Sequence, residues 1–251
     1  MEKVMQKNIV PNEDINWSRV SLLIKIGIIG VLINLAGDMI VGWGVKNTAL
    51  SGIEGQVAHY LKVSDARLFA SAILGLIGVP LSGVGHIGIY KMIKPYSKKY
   101  ARFYAVGIFG CFTFGGSGVH LNSLAAAFFY KYMTAASPET ALAASIKFAY
   151  YFMVPLYVAL LTCVIISVVT HIVVLVKGLT PYPRWCVVFT IPVGAALAGI
   201  IGAFGNYAPL NAISFAAVTF GNLWKQSGAL LMLGKAKENY KKNSGSNPPC
   251  F

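Results

Sequence analysis

The sequence predicts an all-α fold, a polytopic membrane bundle of about six transmembrane helices with both termini in the cytoplasm. Three observations support this fold class. Of the 251 residues 56% are hydrophobic, and only 12% are charged, whereas an ordinary soluble domain has about 25% charged residues. The mean hydropathy is +0.65. The apolar residues are also gathered into six long runs. So few charges exclude an ordinary soluble globule.

Each apolar run is long enough to cross a bilayer, which takes about 20 helical residues. The predicted spans cover residues 20–43, 68–92, 103–130, 149–176, 185–204 and 210–233. Residues 1–19 then form a cytoplasmic N-terminal segment, and residues 234–251 form a basic tail that we expect to be disordered. Ser137 and Pro138 predict that a helix begins well before the fourth span.

The basic residues predict the orientation. Fifteen Lys and Arg residues fall at the termini and in the loops that would lie on one side, and five fall on the other. The richer side is expected to be cytoplasmic. In a soluble chain the net charge of +13 would suggest nucleic acid. Here the charges are scattered at the ends of apolar runs, which excludes nucleic acid and favours the lipid bilayer as partner. We therefore expect a multi-pass protein of the cell membrane, the inner membrane in a bacterium.

Charged and imidazole side chains within spans are candidates for function because they are costly in lipid. Asp38 is expected about 8 Å and His120 about 15 Å from the same outer end of the bundle. Glu54 belongs to the adjacent outer loop. We consider Asp38 or Glu54 as a general base and His120 as an acid, with His120 and Asp38 as alternative metal ligands. This set would serve a membrane-embedded enzyme with an outward-facing pocket and a lipid-like substrate.

Two other interpretations of Asp38 and His120 stay open. One is a structural role, in which the pair forms hydrogen bonds within the bundle, and the other is binding of a substrate or proton in a transporter.

Lys225 gives the second hypothesis, which is a transporter or binding protein for a small molecule. It lies about 12 Å from the inner end of the sixth span, with Asn222 and Gln226 close in sequence. Asn222, Lys225 and Ser117 are the candidate substrate-binding residues. The alternative for Lys225 is a structural side chain that extends to the cytoplasmic interface.

His86 and His171 give the third hypothesis, a single-haem electron-transfer protein. Both are expected at similar depth on different helices, and glycines flank His86. The glycine-rich spans otherwise indicate close helix packing. The sequence leaves the cofactor and the oligomeric state unknown.

A series of different short motifs is spread along most of the chain: Gly37-Asp38, Glu54, Arg67-Leu68, Lys94-Pro95 and Gly118-Val119-His120. Over about residues 20 to 230 the pattern resembles an uncharacterised family of bacterial multi-pass integral membrane proteins. The resemblance implies no known activity, cofactor or catalytic residue. It does single out Asp38, Glu54 and His120 among the polar residues.

Overall fold

The computed structural model describes residues 11, 13–50 and 52–244, without the side chains of residues 52, 53 and 56. The regular structure of these residues is entirely helical, which confirms the all-α prediction. The α-helices are α1 (Trp17–Gly42), α2 (Gly52–Ala58), α3 (Asp65–Ile93), α4 (Lys98–Gly110), α5 (Leu121–Ala136), α6 (Pro138–Phe152), α7 (Val154–Val176), α8 (Ile191–Gly202), α9 (Ala208–Phe215), α10 (Ala217–Leu231) and α11 (Leu233–Ser244).

Within the described part of the chain, three helices are long and apolar enough to cross a membrane: α1, α3 and α7. They correspond to the first, second and fourth predicted spans. The other three predicted spans are each divided into shorter pieces. The third combines α4, a π-helical segment and α5, the fifth combines a short 3-10 helix with α8, and the sixth combines α9 and α10. Six crossings and the predicted orientation therefore remain predictions.

A π-helical segment, Cys111–His120, joins α4 to α5. Each turn of a π-helix is closed by a hydrogen bond one residue longer than in an α-helix, and such turns occur frequently at functional sites. Gly115, Gly116 and Gly118 are buried within the segment. It lies against α3 and α7 in the middle of the bundle.

Helices α1 and α3 form the most extensive pair in the fold, and glycines allow their backbones to touch. A Cβ atom on Gly78 would lie 2.5 Å from the Asn34 amide nitrogen and 2.8 Å from the Gly30 carbonyl oxygen. Gly27 faces Gly85 in the same way. Small residues that admit backbone contact are a common means of helix association in lipid. This pairing fixes the register between the polar residues of the two helices.

Polar side chains close several helix ends. The Arg67 guanidinium donates to the Ile40 and Trp43 carbonyl oxygens, which would otherwise be unpaired at the end of α1. The predicted helix start at Pro138 is confirmed, since Ser137 is the N-cap residue of α6. Its hydroxyl donates to the Glu139 carboxylate and makes no capping bond to the backbone.

The sequence predicts a disordered tail over residues 234–251, whereas in the described part of the chain α11 covers Leu233–Ser244. Tyr240 anchors this helix. Its ring lies 5.6 Å from that of Trp17, and its hydroxyl donates to the Asp14 carboxylate. Residues 245–251 lie outside the described residues.

The end of α3 is tied to the chain before α1 by an ion pair at the same end of the bundle. The Lys94 ammonium lies 2.8 Å from Glu13 and holds the pKa of that carboxyl below its usual range.

The outer surface of the bundle is strongly apolar. Large side chains such as Leu22, Ile29, Phe69 and Ile165 are exposed on α1, α3 and α7. Soluble monomers rarely expose contiguous apolar surface on this scale. The arrangement suits helices that face lipid tails.

We predict that Gly78→Ala destabilises the protein by about 1–3 kcal/mol, because the new methyl group would overlap the α1 backbone. Gly199→Ala is the matched control, since a Cβ atom there meets nothing within 4 Å. Thermal unfolding in detergent, followed by tryptophan fluorescence, measures both variants. Equal unfolding temperatures for the two would contradict the close α1–α3 contact.

A candidate ligand cavity between two polar clusters

A cavity of about 340 Å³ lies where α1, α3, the π-helical segment, α7 and α10 converge. Its volume falls in the range of pockets that hold small organic molecules. Its middle is lined by apolar side chains, among them Val79, Leu160, Val164 and Val218. The polar residues on its wall include Asn34, Asp38, Ser71, Ser82, His86, His120, Ser123, Ser167, Thr219 and Asn222. Several of these belong to two clusters, which we name after Asp38 and Lys225.

The Asp38 cluster contains Asn34, Asp38, Ser71, His120 and Thr219. The Thr219 hydroxyl donates to Asp38 Oδ2 over 2.6 Å, and the Asn34 amide donates to the Thr219 hydroxyl over 3.0 Å. His120 Nδ1 lies 3.5 Å from Asp38 Oδ1. The His120 ring packs over Gly75, where a Cβ atom would overlap the imidazole. Residues from α1, α3, the π-helical segment and α10 thus meet at one side of the cavity.

The position of one proton in the Asp38 cluster follows from its geometry. His120 Nε2 lies 2.9 Å from the Ser71 carbonyl oxygen, which can only accept, so Nε2 carries a proton. His120 Nδ1 then faces Asp38 Oδ1 over 3.5 Å. With one further proton between these two groups, the pair is either a neutral acid beside a neutral imidazole or a carboxylate beside an imidazolium. Its net charge is zero in both of these forms.

The Lys225 cluster contains His86, Tyr104, Asn222, Lys225 and Gln226, and a backbone carbonyl fixes the direction of its hydrogen bonds. Gln226 Nε2 donates to the Ser82 carbonyl oxygen over 3.0 Å and to Asn222 Oδ1 over 3.2 Å. Asn222 Oδ1 is therefore the acceptor for His86 Nε2 at 2.9 Å. Because Nε2 of the neutral imidazole is then the protonated nitrogen, Nδ1 is the acceptor.

Lys225 lies on the side of His86 away from Asn222 and donates a hydrogen bond to His86, which extends this series of hydrogen bonds. Its ammonium lies 2.7 Å from the Tyr104 hydroxyl and 3.3 Å from His86 Nδ1. The Lys225 residue is only 1% exposed. Among the described residues no carboxylate forms an ion pair with it. A buried cation without a counterion is costly, and neutral hydrogen-bond partners offset only part of that cost.

The geometry around His86 and His171 does not leave room for a haem between them. The Tyr104 ring occupies that space, with its centroid 6.1 Å from the His86 ring and 6.0 Å from the His171 ring. Both His86 nitrogens are also engaged in hydrogen bonds. The residues present do not fit the single-haem hypothesis.

The structure brings some of the sequence-predicted site residues together and separates others. Asp38, His120 and Asn222 line the cavity, and Lys225 lies directly behind it. Glu54 on α2 and Ser117 on the π-helical segment are exposed and lie outside the cavity lining. Glu54 therefore does not complete an acid–base set with Asp38 and His120, and Ser117 does not face the cavity.

The predicted metal site at Asp38 and His120 has only these two candidate ligands. In the part of the chain that the structure describes, no three His, Cys, Asp or Glu residues are grouped in a way that would hold a metal ion.

Sequence reasoning missed Asn34, Thr219 and Tyr104 as members of the clusters. Asn34 precedes Asp38 by four residues and so lies on the same face of α1, which is a usable signal. Thr219 likewise precedes Asn222 by three residues. Tyr104 gives no comparable signal, because tyrosines are common near the ends of membrane spans.

The fold and the cavity define an all-helical protein that has helices of membrane-spanning length and a polar-ended internal pocket. No curated protein and no solved structure matches the chain significantly. A family of unknown function (DUF6796) matches residues 5–236. The chain belongs to this family.

We predict that Tyr104→Phe destabilises the protein by about 1–3 kcal/mol, because it removes the shortest hydrogen bond of the buried Lys225 nitrogen. Tyr182→Phe is the matched control, since Tyr182 is another buried tyrosine and donates to a neutral carbonyl, that of Ala229. Its loss is expected to cost about 0.5–1.5 kcal/mol. Thermal unfolding of the two variants in detergent compares these costs, and a larger effect at Tyr182 would contradict the role of Tyr104.

Proposed function

We propose that the protein is a transporter that binds a small solute in the central cavity and releases it on the other side of the membrane. It would be a six-span protein of the cell membrane with both termini in the cytoplasm and the Asp38 cluster toward the outside. One observation carries the proposal: the wall of a single cavity includes members of both polar clusters, Asp38 and His120 from one and His86 and Asn222 from the other. Those clusters were expected at different depths in the membrane.

The wall of the cavity supports binding of a molecule that is partly apolar and partly polar. Leu160, Val164, Ile191 and Val218 supply apolar contacts between the two clusters. A few fixed polar groups in a mostly apolar pocket are typical of small-molecule sites. Polar residues inside membrane proteins commonly mark substrate or ion pathways.

The Asp38–His120 pair supports coupling to protons. The pair is neutral with one shared proton, positive after it gains another, and negative after it loses the shared one. Because the pair lies on the cavity wall, each change alters the field that a bound solute experiences. Carboxylate and histidine groups serve as proton relays in many pumps and transporters.

Interruptions in the helices also border the cavity. The π-helical segment contributes Cys111, Gly115 and Val119 to the wall, and Phe215 and Val218 lie on either side of the break between α9 and α10. Discontinuous helices form the substrate sites of many secondary transporters. Such breaks give the bundle places where it can bend.

Catalysis on a lipid-like substrate is the alternative use of the same residues. Ser71 Oγ lies 3.4 Å from His120 Nε2, and His120 Nδ1 faces Asp38, which is the order of a Ser–His–Asp triad. The nitrogen that would accept the Ser71 proton, however, already carries one and donates it to the Ser71 carbonyl oxygen. This arrangement favours proton exchange at Asp38–His120 over activation of Ser71.

We predict that Cys111 reacts with a membrane-impermeant methanethiosulfonate reagent added to either face of the membrane. Cys111 lines the cavity, and a transporter opens its cavity to each side in turn. The measurement uses right-side-out and inside-out vesicles with Cys163, Cys186 and Cys250 replaced by alanine. Leu160→Trp, which places a large ring on the cavity wall, should slow the reaction from both faces.

A control variant that keeps only Cys163 tests access to a neighbouring thiol outside the cavity lining. Its labelling should not respond to Leu160→Trp. Reaction of Cys111 from the outer face alone would contradict transport and favour an outward-facing enzyme or binding protein. No reaction from either face would contradict an accessible cavity.

The proposed orientation predicts opposite labelling of two loop positions in a cysteine-free background. Lys46→Cys should react with an impermeant maleimide on intact cells, because its loop would be outside. Lys98→Cys should react only after the membrane is permeabilised. Both residues lie on the protein surface, so equal folding is expected. The reverse pattern would overturn the orientation.

A further inference from the structure

One series of hydrogen bonds in the Lys225 cluster runs toward the cavity, from Lys225 through His86 to Asn222. Lys225 donates to His86 Nδ1, and His86 Nε2 donates to Asn222 Oδ1. Asn222 lines the cavity, and its remaining donor, the amide nitrogen Nδ2, has no hydrogen-bond partner among the described residues. Each bond in such a chain polarises the next. The chain therefore presents its positive end to the cavity.

We propose that the solute is a small organic monoanion, a carboxylate on a mainly apolar body, with its carboxylate held at Asn222. The inference rests on the proposed function, because it assigns a ligand class to the same cavity. The Asn222 amide would donate to the carboxylate. His86 and Lys225, which lie one and two groups behind Asn222, supply the favourable field.

The burial of Lys225 without a carboxylate partner supports an anionic ligand. Lys94 and Lys131 lie at the protein surface, and each has a carboxylate partner, Glu13 and Asp65 respectively. Lys225 is more deeply buried than either and has no such partner in the described part of the chain. A carboxylate bound at Asn222 supplies the missing negative charge without direct contact with Lys225. Occupied and empty cavities then differ in how well the buried ammonium is compensated.

The rest of the cavity restricts the anion to a single charge. Asp38 lies on the wall beside His120, and its carboxylate would offset the charge of a protonated imidazole, so the pair offers no net positive charge for a second carboxylate. Among the described residues the cavity wall contains no arginine, and the Ser82 hydroxyl already donates to the Val79 carbonyl oxygen. The Asn222 amide nitrogen has two N–H groups, which suits the two oxygens of a carboxylate better than a phosphate, whose three oxygens need more donors.

The experiment compares hexanoate with hexanamide and adipate on the full chain, purified in detergent and freed of bound acids by exhaustive dialysis. Isothermal titration calorimetry measures each affinity. Hexanoate should bind about ten- to a hundredfold more tightly than hexanamide, the gain expected for a hydrogen bond to a charged group. Adipate, which adds a second carboxylate near Asp38, should bind more weakly than hexanoate.

Two variants assign the effect to the Lys225 cluster. Lys225→Met removes the charge while keeping the side-chain length, and should abolish the preference for hexanoate over hexanamide. Asn222→Asp keeps the acceptor for His86 and Gln226, exchanges the donor for a negative charge, and should exclude hexanoate. This second variant keeps the proposal testable if Lys225→Met does not fold. Lys131→Met removes a lysine far from the cavity and should preserve the preference.

Each of the other outcomes contradicts the proposal that the solute is a monoanion. Equal affinity for hexanoate and hexanamide would refute it while leaving a small-molecule cavity in place, and two-sided labelling of Cys111 would still support transport. A preference that survives both Lys225→Met and Asn222→Asp would place the carboxylate elsewhere. Failure of all three compounds to bind, together with one-sided labelling of Cys111, would reject the ligand class and the proposed function together.

Discussion

Helices α1 and α3 touch backbone to backbone, and no side chain larger than a hydrogen atom fits at Gly27, Gly30, Gly78 or Gly85. Without the hydrophobic effect to drive them together in lipid, helices depend on contact of this kind. The contact sets the register that brings Asp38 on α1 beside Ser71 and Gly75 on α3. The His120 imidazole then enters the space over Gly75. The Asp38 cluster is thus a consequence of how closely the two helices approach.

Most polar groups of the two clusters have hydrogen-bond partners among the described residues, but a few do not. In the Asp38 cluster, Asp38, Thr219 and His120 each have protein partners, while Asn34 Oδ1 is buried without one. In the Lys225 cluster, Gln226 Oε1 has no partner and lies between the glycines of α1 and α3. Unpaired buried acceptors are expensive in an apolar medium. The bundle accepts this cost beside a cavity, which is where binding sites commonly deviate from complete pairing.

Much of the fold was predictable from the sequence because hydropathy and helix length are local properties. The helices α1, α3 and α7 correspond to long apolar runs, and Pro138 marks the start of α6. The π-helical segment was not predictable, since a few glycines do not distinguish it from an α-helix. The helix α11 was missed because its polar composition resembles that of a tail, and contacts with distant residues such as Trp17, Asp14 and Pro181 hold it in place.

The candidate site was also only partly predictable from the sequence. Asp38 with His120, and Asn222 with Lys225, were found because charged or polar groups within apolar runs are rare. Their partners came from distant parts of the chain: Thr219 for Asp38 and Tyr104 for Lys225. Ordinary residue types at long sequence separation carry no local signal. Glu54 was predicted from its place in a nearby loop, and it lies outside the cavity lining.

The number of residues between Cys111 and His120 affects the geometry of the cavity, because these residues form the π-helical segment. Its wide turns contain an extra residue compared with an α-helix of the same length along the axis. The number of residues in the segment therefore sets the rotation of α5 relative to α4. Loss of one residue there would let the helix tighten and turn His120 away from Asp38 while leaving composition and hydropathy almost unchanged. Members of the family that differ in length between these two positions would thus differ at the cavity, even if an alignment showed every polar residue retained.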